Sequence, residues 1–367
     1  MSQRHTTRRR AFSLVELLTV IFIIALLIGI LVPSVTAART AAKRATTAKT
    51  IDVIKTGLEM FRNENERDFR RTNGYPPSFE HPPIPGYPDF DEQARREGGY
   101  PFLLEGVFPR AYGAHWLPTM LMGKDALGYV QRRAVPKTAD VWKRPWLWYD
   151  NDALAAEGVD PIPRASLYLD PGNTRTRLTK DLPGRPPSDT VFPSREQIGT
   201  LPVIVDAFDQ PILYYVANPN GKPTNMLEDH RKPQNRYEGG PQRNGPPFYF
   251  HEDNEGFTGR SVEDEALFGW DFSGRARPHP IAQSGADMTA VEILDQYNNG
   301  PQDQRETFAR YILDRKIWRN IQEPNAATQN TPLRPVNADS YLLISAGPDG
   351  LYGTKDDVSN LPPFPDN

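Results

Sequence analysis

From Phe12 to Val32 the chain reads FSLVELLTVIFIIALLIGILV, an apolar run broken by a single carboxylate. As a helix rising about 1.5 Å per residue it covers about 30 Å, the thickness of the hydrocarbon core of a bilayer. No face of such a segment is polar enough for water, so it must lie in lipid or among other apolar helices. The residues before it, SQRHTTRRR, are basic, and few basic residues follow directly. That asymmetry favours an amino terminus in the cytoplasm and the remainder of the chain outside. A secretory signal has a shorter apolar stretch followed by a small-x-small cleavage site. Here Ala37-Ala38 arrives only after several further residues. A plain single-pass anchor fits these features as well as a processed one does.

Glu16 separates the two readings. A carboxylate inside an apolar span costs about 2.5–3.5 kcal/mol to insert, and such residues mark function. It sits in Arg9-Arg-Ala-Phe-Ser-Leu-Val-Glu16, which resembles the processing site of type IV prepilins and type II secretion pseudopilins. The resemblance implies a leader, Met1–Ala11, removed by prepilin peptidase, and a new terminus at Phe12 that is N-methylated. It also implies an assembly role for Glu16 and a helix bend at Pro33. The family usually carries Gly before the cut, where this chain has the small residue Ala11. The chemistry is coherent. Cleavage exposes a cationic amine on Phe12, and methylation keeps its charge. In a bundle of such helices that amine can pair with Glu16 of a neighbour and offset part of the cost of desolvating both.

Past Pro33 the apolar stripe Ala41, Ala45, Ala48, Ile51, Ile54, Leu58 and Phe61 recurs at three- and four-residue steps, so the helix is expected to continue. Its side chains grow from small to large, as expected for close helix packing that gives way to contact with a globular domain. Charged residues from Glu64 to Arg71 carry it outward, and Asn73-Gly74-Tyr75-Pro76 stops it.

The rest of the chain is rich in helix breakers, with 37 Pro and 27 Gly among 367 residues. These gather in 75–101, 160–200, 218–260 and 271–285, which read as loops or partly mobile insertions on a scaffold. Strand-like runs fall at Leu201–Val205, Ile212–Ala217 and Tyr341–Ala346, and helical patterns at Tyr112–Met122, Met288–Asn298 and Gln302–Ile321. The formal net charge of −3 gives no basic surface for nucleic acid. The absence of Cys removes disulfides, thiolate-bound zinc and a thiol nucleophile.

Two carboxyl-side motifs narrow the resemblance. Asp206-Ala-Phe-Asp-Gln-Pro-Ile-Leu-Tyr-Tyr215 resembles the hairpin of G-type pseudopilins, with Asp209 where the family has Gly. Ser345-Ala-Gly-Pro-Asp-Gly-Leu-Tyr-Gly-Thr-Lys-Asp-Asp357 gathers three carboxylates among three glycines after an apolar strand. Calcium takes six to eight oxygens in flexible geometry, and glycines let backbone carbonyls join carboxylates around it. The segment is not an EF-hand, and a solvated turn that only closes the strand would use the same residues. It closely resembles the calcium loop of G-type pseudopilins. On that resemblance Asp349 and Asp356 are the side-chain ligands, joined by Asp357 and by the carbonyls of Ser345 and Leu351, with the ion in a structural role.

An anchored extracytoplasmic enzyme is the contrasting class. The six His residues form neither a His-Glu-x-x-His pair nor a close metal pair, and no nucleophile elbow or phosphate loop is present. His251-Glu-Asp253 falls in a stretch read as solvated loop, and Trp142, Trp146, Trp148 and Tyr149 read as packing residues. No catalytic residue is therefore assigned. The expected architecture is α+β and pilin-like, a long amino-terminal spine helix on a small antiparallel sheet. Its parts are a leader at 1–11, a transmembrane helix at 12–33, an exported helix at 34–72 and a periplasmic domain at 73–367. The domain carries insertions at 75–200 and 218–340. The expected partners are further copies or other pseudopilins, prepilin peptidase and an inner-membrane assembly platform, with no nucleic acid. Bulky insertions would also suit a minor or tip subunit.

Overall fold

The computed structural model describes residues 14–67, 69–78, 111–131, 134–136, 141, 148–182, 199–219, 221, 224–225, 248–249, 251–258, 279, 281, 308–312, 332–333, 335–354 and 356–362. The chain divides into two units, Met1–Ala45 and Thr46–Asn367. The first is the amino-terminal part of helix α1 (Leu14–Asn65). Leu, Ile and Ala hold this segment helical by propensity. The chain stays helical at Pro33, so no melted stretch interrupts it. Near that point the Ser34 hydroxyl donates to the Leu31 carbonyl and the Thr36 hydroxyl to the Pro33 carbonyl. The apolar side chains from Leu14 to Val35 are exposed, Leu14 at 78% and Val32 at 54%.

In the second unit α1 turns from exposed to buried. Ile51, Ile54, Leu58 and Phe61, the large half of the stripe, lie in the core. Phe61 packs on Phe69, Tyr129 and Tyr168 with ring centroids 5.2, 6.0 and 5.2 Å away. The α-helix ends at Asn65, short of the expected 72, and a 3-10 turn, Arg70–Thr72, follows. Asn65 explains the stop: its buried Nδ2 donates to the Phe61 carbonyl and the Tyr168 hydroxyl, both at 2.9 Å. Side-chain bonds of this kind compete with helical ones. Beyond the turn, Asn73 (φ 53°) and Gly74 (φ 86°) adopt the left-handed backbone that reverses the chain. Tyr75 then returns to α1, its hydroxyl donating to Glu59 at 2.8 Å and its ring lying under the Arg62 guanidinium.

Helix α2 (Gly113–Met122) is buried at every position, which accounts for its lack of a polar face. Helix α3 (Asn151–Ala156) is short and capped by Asp150, whose side chain accepts from the amides of Asp152 and Ala153. Strand β1 (Thr176–Leu178) pairs antiparallel with β2 (Pro202–Ile204). β3 (Ile212–Val216) pairs antiparallel with β6 (Tyr341–Ser345), running Ile212 opposite Ser345 to Val216 opposite Tyr341. β7 (Val358–Ser359) closes that sheet on the far side of β6. A small ladder, β4 (Thr224–Asn225) with β5 (Pro332–Leu333), stands between β3 and β6 in sequence. All strands described are antiparallel, and the fold is α+β with the long amino-terminal helix of a pilin-like protein.

Every residue of β3 and β6 is buried, so this sheet is covered on both faces. Helix α2 lies close against β3. A Cβ on Gly113 would come within 1.9 Å of the Tyr214 carbonyl, a separation only glycine tolerates. Buried Asn254 ties the two, accepting from Ala114 N at 2.9 Å and donating to the Tyr214 carbonyl at 2.8 Å.

The segments expected to be insertions are built into this core. Phe248, Tyr249, Phe257, Ile281, Phe308, Tyr311 and Ile312 are all buried within it. The Phe308 ring packs at a tilt of 42° against Tyr215, with centroids 4.8 Å apart. Asp253 accepts from the Ser78 hydroxyl, and that hydroxyl accepts from Val216 N of β3. Composition pointed to loops, yet the few aromatic residues among the prolines and glycines supply the cover that β3 and β6 require. The expected helix Met288–Asn298 lies outside the described residues, and of Gln302–Ile321 the turn Phe308–Tyr311 is described.

Candidate functional site

Two regions carry the residues singled out by the sequence. At the amino-terminal one, Ala11 and Phe12 lie outside the described residues, and α1 is described from Leu14 with Glu16 in its first turn. Glu16 is exposed, and so are its apolar neighbours Val15 and Leu17, at 67% and 57%. One turn on, the Thr19 hydroxyl reaches the Val15 carbonyl at 2.8 Å, which seats this polar side chain against its own backbone. α1 has a window of mean hydropathy 3.0, none of it buried, and is long and apolar enough to cross a membrane. Exposed apolar surface of this extent has no stable place in water. It sets a carboxylate on a cylinder whose surroundings must be lipid or other helices.

The second region joins the β2–β3 turn to the segment after β6. At the turn, Asp206 is buried and its Oδ1 accepts from Phe208 N at 2.7 Å and Gln210 N at 2.8 Å. Its Oδ2 accepts from the Ser345 hydroxyl. Burial pushes the Asp206 pKa up, and these three donors pull against that rise. Asp209 stands at φ 66°, the left-handed position where glycine is the easiest residue. Arg175 and Arg177 hold its carboxylate at 2.6 and 2.7 Å.

After Ser345 the backbone curls through Gly347, Gly350 and Gly353, all at positive φ. The three carboxylates of this loop are held largely by its own amides. Asp349 Oδ1 accepts from Leu351 N at 2.8 Å, Asp356 Oδ2 from Asp349 N at 3.2 Å, and Asp357 Oδ2 from Gly353 N at 2.8 Å. The Thr354 hydroxyl lies between Asp356 and Asp357. Desolvation of its carboxyl within the loop, and then the charge of Asp356, push the Asp349 pKa up to about 6. Asp357 is pushed up too, chiefly by burial, and accepts a hydrogen bond from the Tyr311 side chain.

The structure thus brings Asp349 and Asp356 side by side and turns Asp357 toward the body of the domain. Ser345 stays in the sheet between Ile212 and Val358, its hydroxyl engaged by Asp206. Among the described residues no three of His, Cys, Asp and Glu converge as a group able to hold a metal. The donor chemistry is all oxygen and suits a hard cation, and the adjacent pair carries the repulsion that such a cation would relieve. What the geometry supplies is two adjacent carboxylates, each already accepting from the loop's own amides.

Several supporting residues left no mark in the sequence pattern. Tyr352, buried after Leu351, donates its hydroxyl to the Pro211 carbonyl at 2.7 Å and so ties this loop to the start of β3. Its backbone is held by the 279–281 segment, through Ile281 N to the Tyr352 carbonyl at 3.1 Å and Tyr352 N to His279 Nδ1 at 3.3 Å. Burial drives the His279 pKa down to about 4, which keeps that nitrogen an acceptor. These contacts span long sequence separations, and only buried aromatic residues in a proline-rich stretch hint at them. Of the other aromatic and acidic candidates, Trp148 is buried with its indole donating to the Val141 carbonyl. Trp142 and Trp146 lie outside the described residues. Asp253 is buried against Ser78 and faces no solvent.

Comparison with known proteins bears on the first region. Residues 6–32 match a family model described as the prokaryotic N-terminal methylation motif. No curated protein and no solved structure matches the chain. The match spans residues 6–11 of the basic leader, the Ala11–Phe12 junction, Glu16 and the apolar run, of which Leu14 onward forms the start of α1. The amino terminus of this chain therefore carries the type IV pilin-like signal, the mark of a prepilin peptidase substrate.

Proposed function

We propose that the chain is a non-catalytic, pseudopilin-like subunit of a filament that drives protein export, of the G type of type II secretion. In this reading it enters the bacterial inner membrane through α1 with its domain in the periplasm. The peptidase cuts between Ala11 and Phe12, and the Phe12 amine is methylated. The subunit leaves lipid by laying its helix against those of other copies or related pseudopilins at an inner-membrane platform. Glu16 of one subunit meets the Phe12 ammonium of the next, and Pro33, which gives up one backbone N–H, marks where the helix yields as it packs.

The observation that carries this reading is the match over residues 6–32 with Glu16 in the first turn of an exposed apolar helix. Assembly converts an expensive carboxylate into half of an ion pair. The test replaces Glu16 by Gln, which keeps size and removes charge. Filament assembly in a reconstituted secretion system should fall to background while the protein still inserts. Normal filaments from Glu16→Gln would refute the assembly role.

The G-type assignment rests on the resemblance of the Asp206–Tyr215 hairpin and of the carboxy-terminal loop. A calcium ion there would be held by Asp349 and Asp356 with backbone oxygens, Leu351 among them, and would neutralise the paired carboxylates. Ser345 and Asp357 would act by holding the loop in place. Calcium should raise the melting temperature of the wild type and leave Asp349→Ala unmoved. Equal responses would remove the metal from the account.

A further inference from the structure

We infer that Arg39, Lys43 and Arg44 form a collar that binds the phosphate groups of anionic lipids at the outer edge of the membrane span. This rests on the reading of α1 as membrane-spanning. Three observations lead to it. From Thr36 to Ala48 the chain consists of Ala and Thr apart from these three cations, and no acidic residue occurs between Glu16 and Asp52. Arg39, Lys43 and Arg44 are all exposed on α1. They begin four residues after Val35, the last exposed large apolar residue of the run, at 38%.

Position and direction then choose the ligand. At about 1.5 Å per residue, Arg39 lies roughly 6 Å beyond Val35, and Lys43 and Arg44 roughly 12–14 Å beyond it. The headgroup layer is about 5–8 Å thick on each side of the hydrocarbon. Helical side chains lean toward the helix amino terminus, which here is the membrane side. Long cationic stems therefore reach back along a surface of Ala and Thr that does not obstruct them, and their charged ends settle in the headgroup layer. Arg39 and Lys43 stand one turn apart on the same side, with Arg44 about 100° further round. The collar also works against the orientation bias, because positive charge resists translocation. The collar would hold the subunit at a fixed depth until its helix is drawn into a filament.

The test places the full chain in nanodiscs of equal phosphatidylglycerol and phosphatidylcholine and identifies the lipids that stay bound by native mass spectrometry. Each cation near an anionic surface is worth about a five-fold preference. The wild type should therefore retain phosphatidylglycerol at least about five-fold over phosphatidylcholine, with the preference fading near 0.5 M salt, about 4 Å of Debye length. The variant Arg39→Gln/Lys43→Gln/Arg44→Gln keeps helix propensity and should lose at least about five-fold of that preference, the remainder being carried by Arg8, Arg9 and Arg10 at the other end of the span. Arg8→Gln/Arg9→Gln/Arg10→Gln should leave the collar's share of the preference, at least about five-fold, in place. Equal retention by the wild type overturns the collar, as does a preference undiminished in the first variant or abolished in the second. Loss of filaments in the first variant with lipid preference unchanged would assign the cations to a neighbouring subunit and overturn it as well. A chain that does not incorporate into the discs overturns the membrane reading and the collar with it, whereas incorporation with equal retention overturns the collar alone.

Discussion

The Ser345 hydroxyl donates to the buried Asp206 carboxylate at 2.5 Å, joining the end of β6 to the turn before β3 across 139 residues of sequence. Beside it, β3 and β6 run antiparallel in register, so the same two segments are held by backbone and by side chain. Asp206→Ala would leave three donors without their acceptor, the Ser345 hydroxyl and the amides of Phe208 and Gln210. A buried unsatisfied donor costs about 1–3 kcal/mol, so the loss should be about 3 kcal/mol or more by urea unfolding. Asp206→Asn keeps a carbonyl oxygen and should cost less. Ser345→Ala should cost about 1 kcal/mol.

His115 makes the domain acid-sensitive. Its Nδ1 accepts from Tyr112 N at 3.0 Å and its Nε2 faces the Thr179 hydroxyl at 3.0 Å, while that hydroxyl donates to the Leu201 carbonyl. The arrangement requires a neutral ring with its proton on Nε2, and burial lowers the pKa to about 3. Between that value and the unfolded value near 6.5 the unfolded chain binds more protons. This contribution is complete above about pH 6.5 and is lost as pH falls toward 3, by up to about 1.4 kcal/mol per pH unit. Urea unfolding at pH 7 and pH 5 should show the drop, and His115→Gln should lessen it, with buried His279 supplying a drop of the same sign over that interval. An equal slope in the variant would contradict the assignment.

Gly113→Ala tests the seat of α2 on β3. The added carbon would sit 1.9 Å from the Tyr214 carbonyl, so helix and strand must separate. A loss of about 3 kcal/mol is expected, beyond the usual cost of overpacking only if the separation spreads to Asn254. A variant as stable as the wild type would mean that the two elements are not in contact.

Deleting 218–340 should unfold the domain, because Phe257, Phe308, Tyr311 and Ile312 are core residues. Phe308→Ala alone should cost about 3–5 kcal/mol, read by chemical denaturation. A folded deletion protein, shown by cooperative melting, would mean that the segment is only an appendage.

The framework of this domain was legible where pattern and chemistry agree. The large half of the α1 stripe, the runs that became β2, β3 and β6, and the apolar segment that became α2 all announced themselves by periodicity or by length. Asp209 was readable as a turn residue, since Asp tolerates the left-handed backbone. The site around Ser345 was legible as a list of residues and not as an arrangement. Its link to Asp206, and the bracing of Tyr352 by His279 and Ile281, depend on contacts far apart in sequence. The end of α1 at Asn65 was hidden because the charged residues that follow continue the helical pattern. The cover over β3 was hidden because proline and glycine dominate the local composition, while burial is decided by a few aromatics.

The most direct test of the central claim is mass spectrometry of the amino terminus of the membrane-extracted protein. The account predicts a chain beginning at N-methylated Phe12, with Met1–Ala11 removed. A chain that still begins at Met1 would contradict it and leave α1 as a plain anchor.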